Sequence, residues 1–404
     1  MNIWFLSPHE PPTAQTSRTH NFSLELTKKG HNVTIFVNSF MHRTHTDHLE
    51  KHEKWRVETL DGVRVVWLKT NPYKGNSWGR GLNMLWFACR AIQATKTLAE
   101  KPDIVVGDSV PLGAGWAAAR LASQFNAAFV FQVRDVWPIA LVYDRSLSRC
   151  SPIYFILRVL EKWNYRKADL VLATMPFLKD HVRDSGADPR KVGWVPNGVN
   201  LLNYPIDKSY DGGTNLPLIG MYVGGFGHAH DVITVIRAAA LLKQKGCSSF
   251  KFILVGDGVK KDECIRETEK LGLSNIEFRD SVPKLEVPQL QSRADFFITT
   301  VLDSDAYKFG HNLNKIYDYF ASGRPIILSG RIPNDNVQEA HAGFTVHPEN
   351  PEAMAKAFEE LLALTPEERK QMGLRAREYA EEYFDVVKLA DQMEAYFAKI
   401  VKKA

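Results

Sequence analysis

The sequence is poor in cysteine and has no apolar segment long enough to cross a membrane. Its 404 residues include four cysteines, which are far apart and form no CxxC pair: Cys89, Cys150, Cys247 and Cys264. This distribution argues against a disulfide framework or a structural zinc site and favours a reducing compartment. The apolar run LNMLWFACRAIQA is interrupted by Arg90. The start, MNIWFLSPHEPP, lacks the basic segment and cleavage site of a signal peptide, so we expect a cytoplasmic protein.

A strong charge of either sign is also missing. Lysine and arginine number 51 against 46 aspartates and glutamates, which gives a formal net charge of +5. This mildly basic balance fits an anionic small ligand or an anionic membrane surface better than duplex DNA, which requires a concentrated basic stripe. We therefore expect no nucleic-acid partner. Hydrophobic residues at 45% and charged residues at 24% are typical of a soluble globular protein, and the length accommodates two domains.

Strand and helix patterns alternate along almost the whole chain in two series. The first series runs from NIWFLS to LVLATM and includes a hairpin with Asp61 and Gly62 at its turn. The second runs from LIGMYVGG to GFTVHP. Repeated strand–helix units predict parallel sheets with right-handed crossovers.

The predicted fold class is therefore α/β, with two facing Rossmann-like domains and an inter-domain cleft. The first domain covers 1–198 and the second 217–385, with a linker at 199–216. A helix at 386–404 follows and is expected to cross back to the first domain. Ligands of such sheets bind at the carboxyl ends of the strands, so the cleft is the expected site.

The stretch GHNLNKIYDYFASGRPIIL predicts a short helix that carries a lysine at its positive end. Asn312 or Asn314 can cap this helix, Lys315 lies in its first turn, and Asp318 follows one turn later. Unpaired amides and the helix dipole make such an end an anion site, and a bound diphosphate would remove the repulsion on the lysine. Asp318 can accept hydrogen bonds from ribose hydroxyls. The alternative is a surface helix whose lysine and aspartate are solvated.

Two glycine-rich strand ends accompany this helix. YVGGFG contains Gly224 and Gly225, and LVGDG contains Gly256. Glycines let a backbone approach a ligand closely, although each stretch alone is also typical of a tight turn without a ligand. Neither is a GxGxxG motif followed by an acidic residue, which disfavours a dehydrogenase.

Other polar stretches have a chemical and a structural interpretation each. In FQVRDVWP, Arg134 and Asp135 end an apolar strand, where active-site residues lie in α/β folds, although they can also form a structural ion pair. DSD at 303–305 follows a buried strand and is interpreted as a loop, so no metal site is predicted. Four histidines would share one helical face and could bind a metal, but their polar surroundings favour a surface loop: His42, His45, His48 and His52.

Two basic-aromatic stretches raise the question of membrane contact. In SPIYFILRVLEKWNYRKA, apolar residues recur at helical spacing beside basic ones: Ile153, Ile156, Leu157, Leu160 and Trp163 with Arg158, Lys162, Arg166 and Lys167. NPYKGNSWGRGLNMLWFACR adds tryptophans with Lys74, Arg80 and Arg90. Such helices either lie on anionic lipid or pack their apolar stripe on a sheet. The first interpretation predicts peripheral contact with the inner face of the plasma membrane.

These motifs together resemble glycosyltransferase family 4, of the GT-B fold, over nearly the whole chain. The subgroup with the greatest similarity is that of bacterial O-antigen and capsule transferases of the N-acetylfucosamine type. The stretches that carry the resemblance are SPHEPPTAQTSRTHNFSLELTKKGHNVTIF, FQVRDVWP, VPNGVN, YVGGFG, LVGDG and NLNKIYDYFASGRPII. RDVWP and the last stretch are fairly specific to the subgroup, and the others are shared by the wider family.

The resemblance implies roles for individual residues. Arg18 would border the acceptor and the donor phosphates, and Asp135 would line the active site beside the transferred sugar. Gly224, Gly225, Lys315 and the amides of Asn314 and Lys315 would hold the diphosphate. Asp318 would bind the ribose. The nucleobase would lie near FRDSVP, which contains Asp280, and Gly256 would lie at the neighbouring strand end.

The chain also departs from the family pattern. The first glutamate of the family's E-x7-E motif would fall at Gly310, and its second is the shorter Asp318. His228 and His230 stand where many members carry arginine and lysine, which shifts the neutralising role to Lys315. Near the N-terminus, TAQTS replaces the usual glycine pair.

The implied activity is a retaining, metal-independent transfer of a hexose or N-acetylhexosamine from a nucleotide sugar, expected to be a UDP sugar. The acceptor would be a glycan or a polyprenyl-diphosphate-linked intermediate of surface polysaccharide synthesis. Alternatives are an epimerase of the same fold that acts on a UDP-N-acetylhexosamine, a non-catalytic sugar-nucleotide binding protein, and a membrane-scaffolding protein.

Overall fold

Two units make up the chain in a computed structural model that describes residues 1–12, 17–41, 46–73, 78–143 and 146–401, without the side chains of Trp78 and Arg80. The first unit combines Met1–Asn197 with the segment from Val386 onward, and the second is Gly198–Asp385. Among the described residues, no helix combines the length and the apolar character needed to span a bilayer.

The strands are β1 Asn2–Leu6, β2 Asn32–Asn38, β3 Phe40–Met41, β4 Thr46–Asp47, β5 Trp55–Leu60, β6 Val63–Leu68, β7 Ile104–Asp108, β8 Ala128–Val133, β9 Leu170–Ala173, β10 Val192–Trp194, β11 Leu218–Val223, β12 Phe250–Val255, β13 Ile276–Arg279, β14 Phe296–Thr300, β15 Ile326–Ser329 and β16 Gly343–Val346. The helices are α1 Arg18–Lys28, α2 Trp78–Ala94, α3 Leu112–Phe125, α4 Ile139–Tyr143, α5 Pro152–Lys167, α6 Lys179–Asp184, α7 Val232–Gln244, α8 Lys261–Lys270, α9 Val287–Gln291, α10 Asn314–Ser322, α11 Asn336–Glu339, α12 Pro351–Ala363, α13 Pro366–Tyr379 and α14 Val386–Ile400.

The first unit is built on an eight-stranded sheet in the order β10-β9-β8-β7-β1-β2-β6-β5. All its neighbours are parallel except β5 and β6, which form the predicted hairpin around Asp61 and Gly62, both with positive φ. The central strands are apolar on both faces because helices cover both sides. One cover is α14, which packs on α1 and joins the first unit's core through Met393 and Phe397.

The second unit contains a six-stranded, all-parallel sheet in the order β13-β12-β11-β14-β15-β16. Side chains along β12 alternate between two cores: Phe252 and Leu254 point to one face, and Ile253 and Val255 to the other. Both units are thus Rossmann-like α/β domains, which confirms the predicted fold class.

Residues 199–216, which the sequence predicts to be a linker, pack with the second unit. They belong to the second unit, because buried polar groups bind them to it. The Arg369 guanidinium donates to the carbonyls of Gly212 and Gly213 at 2.7 and 2.9 Å, and the Tyr204 hydroxyl donates to Asp318 at 2.8 Å. Loop composition alone does not reveal such long-range hydrogen bonds.

Candidate functional site

The strand order of the second unit locates a ligand crevice within that unit. In chain order its strands are arranged 3-2-1-4-5-6, so the direction of winding reverses between β11 and β14. In open parallel sheets, ligands bind outside the carboxyl ends of the strands at this reversal. Gly224 and Gly225 follow β11 directly, Gly256 follows β12, and Asp280 follows β13.

Helix α10 directs its first turn at this edge of the sheet. Its side chains Ile316, Tyr319 and Phe320 are fully buried, which fixes the orientation of the helix. The N-cap residue is Leu313, which provides no side-chain hydrogen bond, so the predicted capping by Asn312 or Asn314 is wrong. The first-turn amides of a helix have no intrahelical acceptor. The positive end of the α10 dipole therefore lies at the sheet edge where an anion would bind.

Lys315 lies over the end of β11. Its Nζ donates to the Tyr222 hydroxyl at 2.8 Å and lies 4.1 Å from the centroid of the Tyr222 ring. The Tyr222 hydroxyl in turn donates to the Gly225 carbonyl at 2.6 Å. Burial lowers the pKa of the Lys315 amine to about 7. The structure thus brings the predicted lysine and both predicted glycines into one hydrogen-bonded cluster.

The glycines are required because the cluster is tightly packed. A Cβ at Gly224 would lie 2.8 Å from the Lys315 ammonium nitrogen, so any side chain there would displace the lysine. A Cβ at Gly256 would lie 1.9 Å from the Gly224 carbonyl oxygen. Gly256 also has a φ of +143°, which L side chains rarely adopt. The absence of a side chain at Gly256 therefore allows the backbone at the end of β12 to pack directly against the backbone at the end of β11.

We expect Gly256→Ala to lower the free energy of unfolding of the second unit by about 3 kcal/mol, since both the backbone clash and the φ angle oppose a Cβ. Denaturant unfolding would measure this. The matched control is Gly246→Ala, where φ is +73° but nothing lies within 4 Å of the added Cβ. That control should cost about 1 kcal/mol. Equal losses in both variants would contradict the role of the Gly224 contact.

His230 is the second ionisable group beside Lys315. Burial, together with the positive charge of Lys315, lowers the pKa of His230 to about 3. Its imidazole is therefore neutral near neutral pH, and its Nδ1 is buried without a hydrogen-bond partner. His228, by contrast, is exposed. His230 therefore adds no positive charge to this cluster near neutral pH, and the cation beside the two glycines is Lys315.

Asp318 is buried and already engaged. One carboxylate oxygen accepts a hydrogen bond from the Tyr204 hydroxyl at 2.8 Å, and the other forms an ion pair with Lys284. Lys284 was not predicted as a partner; it reaches Asp318 from the 3-10 helix Lys284–Glu286, 34 residues earlier in the chain. A carboxylate has about four acceptor positions, so the two partners leave room for further donors.

Asp280 lies on the outer side of the same edge. Its carboxylate pairs with the Lys261 ammonium at 2.7 Å and is 92% exposed. Lys261 also contacts Asp257 at 3.2 Å, which precedes the tight turn at Gly258. Hydrogen bonds from Ser281, followed by Lys261, lower the pKa of Asp257 to about 2. The region predicted to bind the nucleobase is therefore a polar, exposed surface next to Gly256.

The first unit gathers a different set of groups at the carboxyl edge of its own sheet. Arg134 pairs with Glu10 at 2.6 Å and lies 3.7 Å from Asp108, and its neighbour Asp135 also attracts it electrostatically. Asp108 is fully buried at the end of β7 and accepts from Gln132 at 2.6 Å. Burial raises the pKa of Asp108 to about 6, although the charge of Arg134 opposes this. Sequence analysis missed Glu10 and Asp108.

Asp135 and Arg18, the predicted active-site residues of this unit, differ in their surroundings. The side chain of Asp135 is exposed at the end of β8, while its backbone carbonyl accepts from the Ser109 hydroxyl at 2.9 Å. Arg18 is 5% exposed, and its guanidinium donates to the carbonyls of Val195 and Pro196. The guanidinium thus joins α1 to the VPNG segment, and its role beside bound phosphates stays a prediction.

The structure also shows the surroundings of several residues that were considered as metal ligands. Asp303 pairs with Arg331 at 2.6 Å, and no cluster of three potential ligands occurs among the described residues. His48 lies on Trp67 with ring centroids 4.0 Å apart, whereas His42 and His45 lie outside the described residues. Residues 48–53 are not helical, so the four histidines do not share a helical face.

Comparisons with known proteins match both halves of the chain. Residues 13–198 match the model of the glycosyl transferase 4-like domain, and residues 218–364 match glycosyl transferases group 1. A search of curated proteins gave no significant match.

Solved structures of similar architecture cover the whole chain. Sucrose-phosphate synthase from Thermosynechococcus elongatus is 19% identical with a TM-score of 0.76, covering 99% of this chain and 98% of that one. HepE from Anabaena, solved with UDP and glucose, is 16% identical with a TM-score of 0.69, covering 99% and 100%. An Escherichia coli trehalose-6-phosphate protein bound to UDP-2-fluoro glucose is 11% identical with a TM-score of 0.73, covering both chains fully. At these identities the likeness establishes the fold.

Proposed function

This chain belongs to the glycosyltransferases of the family 4 type, and from that premise we propose that it moves a sugar from a UDP sugar to an acceptor. The sugar is a hexose or N-acetylhexosamine. The acceptor is a glycan or a polyprenyl-diphosphate-linked intermediate of surface polysaccharide synthesis. UDP in the solved structure of HepE, and a UDP sugar analogue in that of the Escherichia coli protein, support the choice of donor.

The observation that carries the proposal is the cluster of Lys315 with Gly224 and Gly225 at the start of α10. It combines a partly desolvated ammonium, first-turn amides and a backbone without side chains. The ammonium and the amides favour a diphosphate over a neutral ligand, and the glycines let it approach the backbone closely. Asp318 then accepts from the ribose hydroxyls through the acceptor positions that Tyr204 and Lys284 leave open.

The chemical step follows from where negative charge develops. As the bond between the sugar and the diphosphate breaks, charge grows on the bridging oxygen. The Lys315 ammonium and the amides of Asn314 and Lys315 stabilise that charge without a metal ion. The acceptor hydroxyl attacks the same face of the sugar, and its proton passes to a phosphate oxygen of the donor. This accounts for retention without a protein nucleophile.

Asp135 acts on the sugar and not on the nucleotide. We expect Asp135→Asn to lower turnover by about 10²-fold while leaving the affinity for UDP near the wild-type value, because Asp135 belongs to the first unit and the proposed UDP site belongs to the second. Calorimetry with UDP and a coupled assay of UDP release would measure both quantities. Asp103→Asn, at the opposite end of the same sheet, is the control. Turnover equal to wild type would remove Asp135 from the mechanism.

The proposed function is tested by a thermal-shift panel of UDP, GDP, ADP and UDP sugars, followed by assays of UDP release with EDTA present. We expect the largest shift with UDP ligands and turnover that EDTA does not abolish. Release of UDP with no acceptor requirement, together with a changed sugar, would favour the epimerase. Binding without turnover would favour the binding protein. No stabilisation by any nucleotide would overturn the proposal.

A further inference from the structure

The first unit exposes apolar side chains in one region of its surface. Most of the large exposed apolar side chains in the described part of this unit lie on α2 and α5: Leu82, Leu85, Trp86, Ile153, Phe155, Ile156 and Val159. On α5, Ile156 is 66% and Val159 is 68% exposed. The apolar stripe in the sequence of α5 is therefore not a core face, although its periodicity alone is compatible with one. Large apolar side chains exposed together on one helix, as on α5, mark an interaction surface.

The exposed face of α5 changes character along its length. Helical spacing puts Phe155, Ile156 and Val159 on the same side as Trp163 and Arg166. The first half of this side is apolar, and the second half is aromatic and basic. Because helices in parallel strand–helix units run back against their strands, the apolar half lies toward the carboxyl edge of the sheet. Asp135 lies at that same edge.

Helices α2 and α5 contribute no exposed acidic side chain to this surface. Helix α2 contains no aspartate or glutamate, and the sole acid of α5 is Glu161. Glu161 is buried and pairs with Arg158 and with His181, so it does not face solvent. Arg90 lies 5.3 Å from the ring centroid of Trp86 and adds a cation beside the apolar residues of α2. The surface is thus apolar and cationic.

A groove lies beside the basic second half of α5. It encloses about 580 Å³ between α3 and α5, and its lining includes Trp116, Trp163, Arg120 and Lys167. Helix α3 packs against both α2 and α5, so the groove and the apolar residues belong to one helical layer. The acid in the lining, Asp169, accepts a hydrogen bond from the Phe129 amide at 2.9 Å. Two tryptophans with exposed cations suit the boundary between lipid tails and anionic headgroups.

We propose that the outer layer formed by α2, α3 and α5 docks on an anionic lipid bilayer. The apolar side chains of α2 and α5 enter the interface, and Arg120, Arg166 and Lys167 contact headgroups, with the groove receiving a headgroup phosphate. A second copy of the chain fits this surface poorly, because a two-fold contact would bring cations against cations. A lipid-linked acceptor would then be presented beside Asp135, a step that rests on the proposed function.

Vesicle co-sedimentation of the full chain tests the proposal without nucleotide. Vesicles of phosphatidylcholine with about 30% phosphatidylglycerol should bind the protein at least about tenfold better than phosphatidylcholine alone at low salt. The triple variant Phe155→Ser, Ile156→Ser, Val159→Ser should lose about tenfold in binding. The control Leu202→Ser, Leu285→Ser alters similarly exposed side chains of the second unit and should bind like the wild type.

A second variant separates charge from apolar contact. Arg120→Glu with Lys167→Glu should remove the preference for anionic vesicles, and higher salt should do the same. Retained thermal stabilisation by UDP in every variant would show that folding and nucleotide binding are intact. No vesicle binding by the wild type, or equal binding by the triple variant, would overturn the proposal. So would a wild-type dimer that the triple variant converts to a monomer, since the surface would then join two copies.

Discussion

Replacing Lys315 with methionine is expected to lower turnover by about 10²- to 10³-fold, the loss typical of removing one donor that stabilises developing negative charge. Methionine keeps much of the length of the stem that lies over the Tyr222 ring and removes the ammonium that donates to the Tyr222 hydroxyl. The affinity for UDP should fall as well, because the diphosphate loses a charge-assisted contact in the bound ground state. Steady-state assays of UDP release and calorimetry would measure the two effects separately.

The matched control for this variant is Lys356→Met. Lys356 lies on α12 with its side chain 75% exposed, far from any predicted contact with nucleotide. Its replacement should change neither turnover nor UDP affinity. Lys315→Arg keeps the charge but not the compact ammonium, and should recover part of the binding but less of the turnover. Unchanged UDP affinity in Lys315→Met would remove this lysine from the diphosphate site, whatever the effect on turnover.

The cluster of Lys315 with Gly224, Gly225 and Gly256 could be predicted from the sequence because its signals are local. A lysine at the positive end of a predicted helix is unfavourable without an anion, and glycines at strand ends permit close approach. In the structure Lys315, Gly224 and Gly256 do meet at one sheet edge. The parallel sheet that places these strand ends at one edge follows from the alternation of strands and helices, whereas its strand order comes from the structure.

Partners that reach across the fold could not be predicted in the same way. Glu10, Asp108 and Arg134 become neighbours only because β1, β7 and β8 end at one edge. Lys284, on a 3-10 helix, meets Asp318 of α10 across a separation of 34 residues in the chain. No period or motif encodes such pairs, and a buried guanidinium such as that of Arg18 satisfies backbone carbonyls that a sequence does not reveal.

The spacing of apolar residues also does not show whether the apolar face of a helix is buried or exposed. On α5 the apolar spacing is equally consistent with a buried face and with an exposed one. The structure resolves this because Glu161, Asn164 and Tyr165 occupy the buried side while Ile156 and Val159 face solvent. Polar groups fill the inner side because His181 and the backbone of Leu112 provide partners for them.

The affinity for UDP is expected to fall as the pH rises above 7. Burial sets the pKa of the Lys315 amine at about 7, so the amine of the free protein is mostly neutral at pH 8 and above. A bound diphosphate favours the ammonium and raises its pKa, so binding above pH 7 must take up a proton. By linkage, the dissociation constant should rise by about tenfold per pH unit from pH 7 until the pKa of the complex is reached.

The other groups that face Lys315 do not titrate in this interval. Burial raises the pKa of Tyr222 well above its usual value, so its hydroxyl stays protonated. His230, with a pKa of about 3, stays neutral. The terminal phosphate of UDP, with a second pKa of about 6, has lost its proton above pH 7. The predicted slope therefore belongs to one amine.

Calorimetry between about pH 6.5 and 9, in pairs of buffers with different ionisation enthalpies, would measure both the dissociation constant and the proton uptake. We expect uptake approaching one proton near pH 8. In Lys315→Met both the slope and the uptake should disappear, and this variant is the control that identifies the group. A dissociation constant that stays level from pH 7 to 9 in the wild type would mean that Lys315 is charged before the diphosphate arrives. The amine would then be a fixed cation, and the cost of burying it would have been met by the protein and not by the ligand.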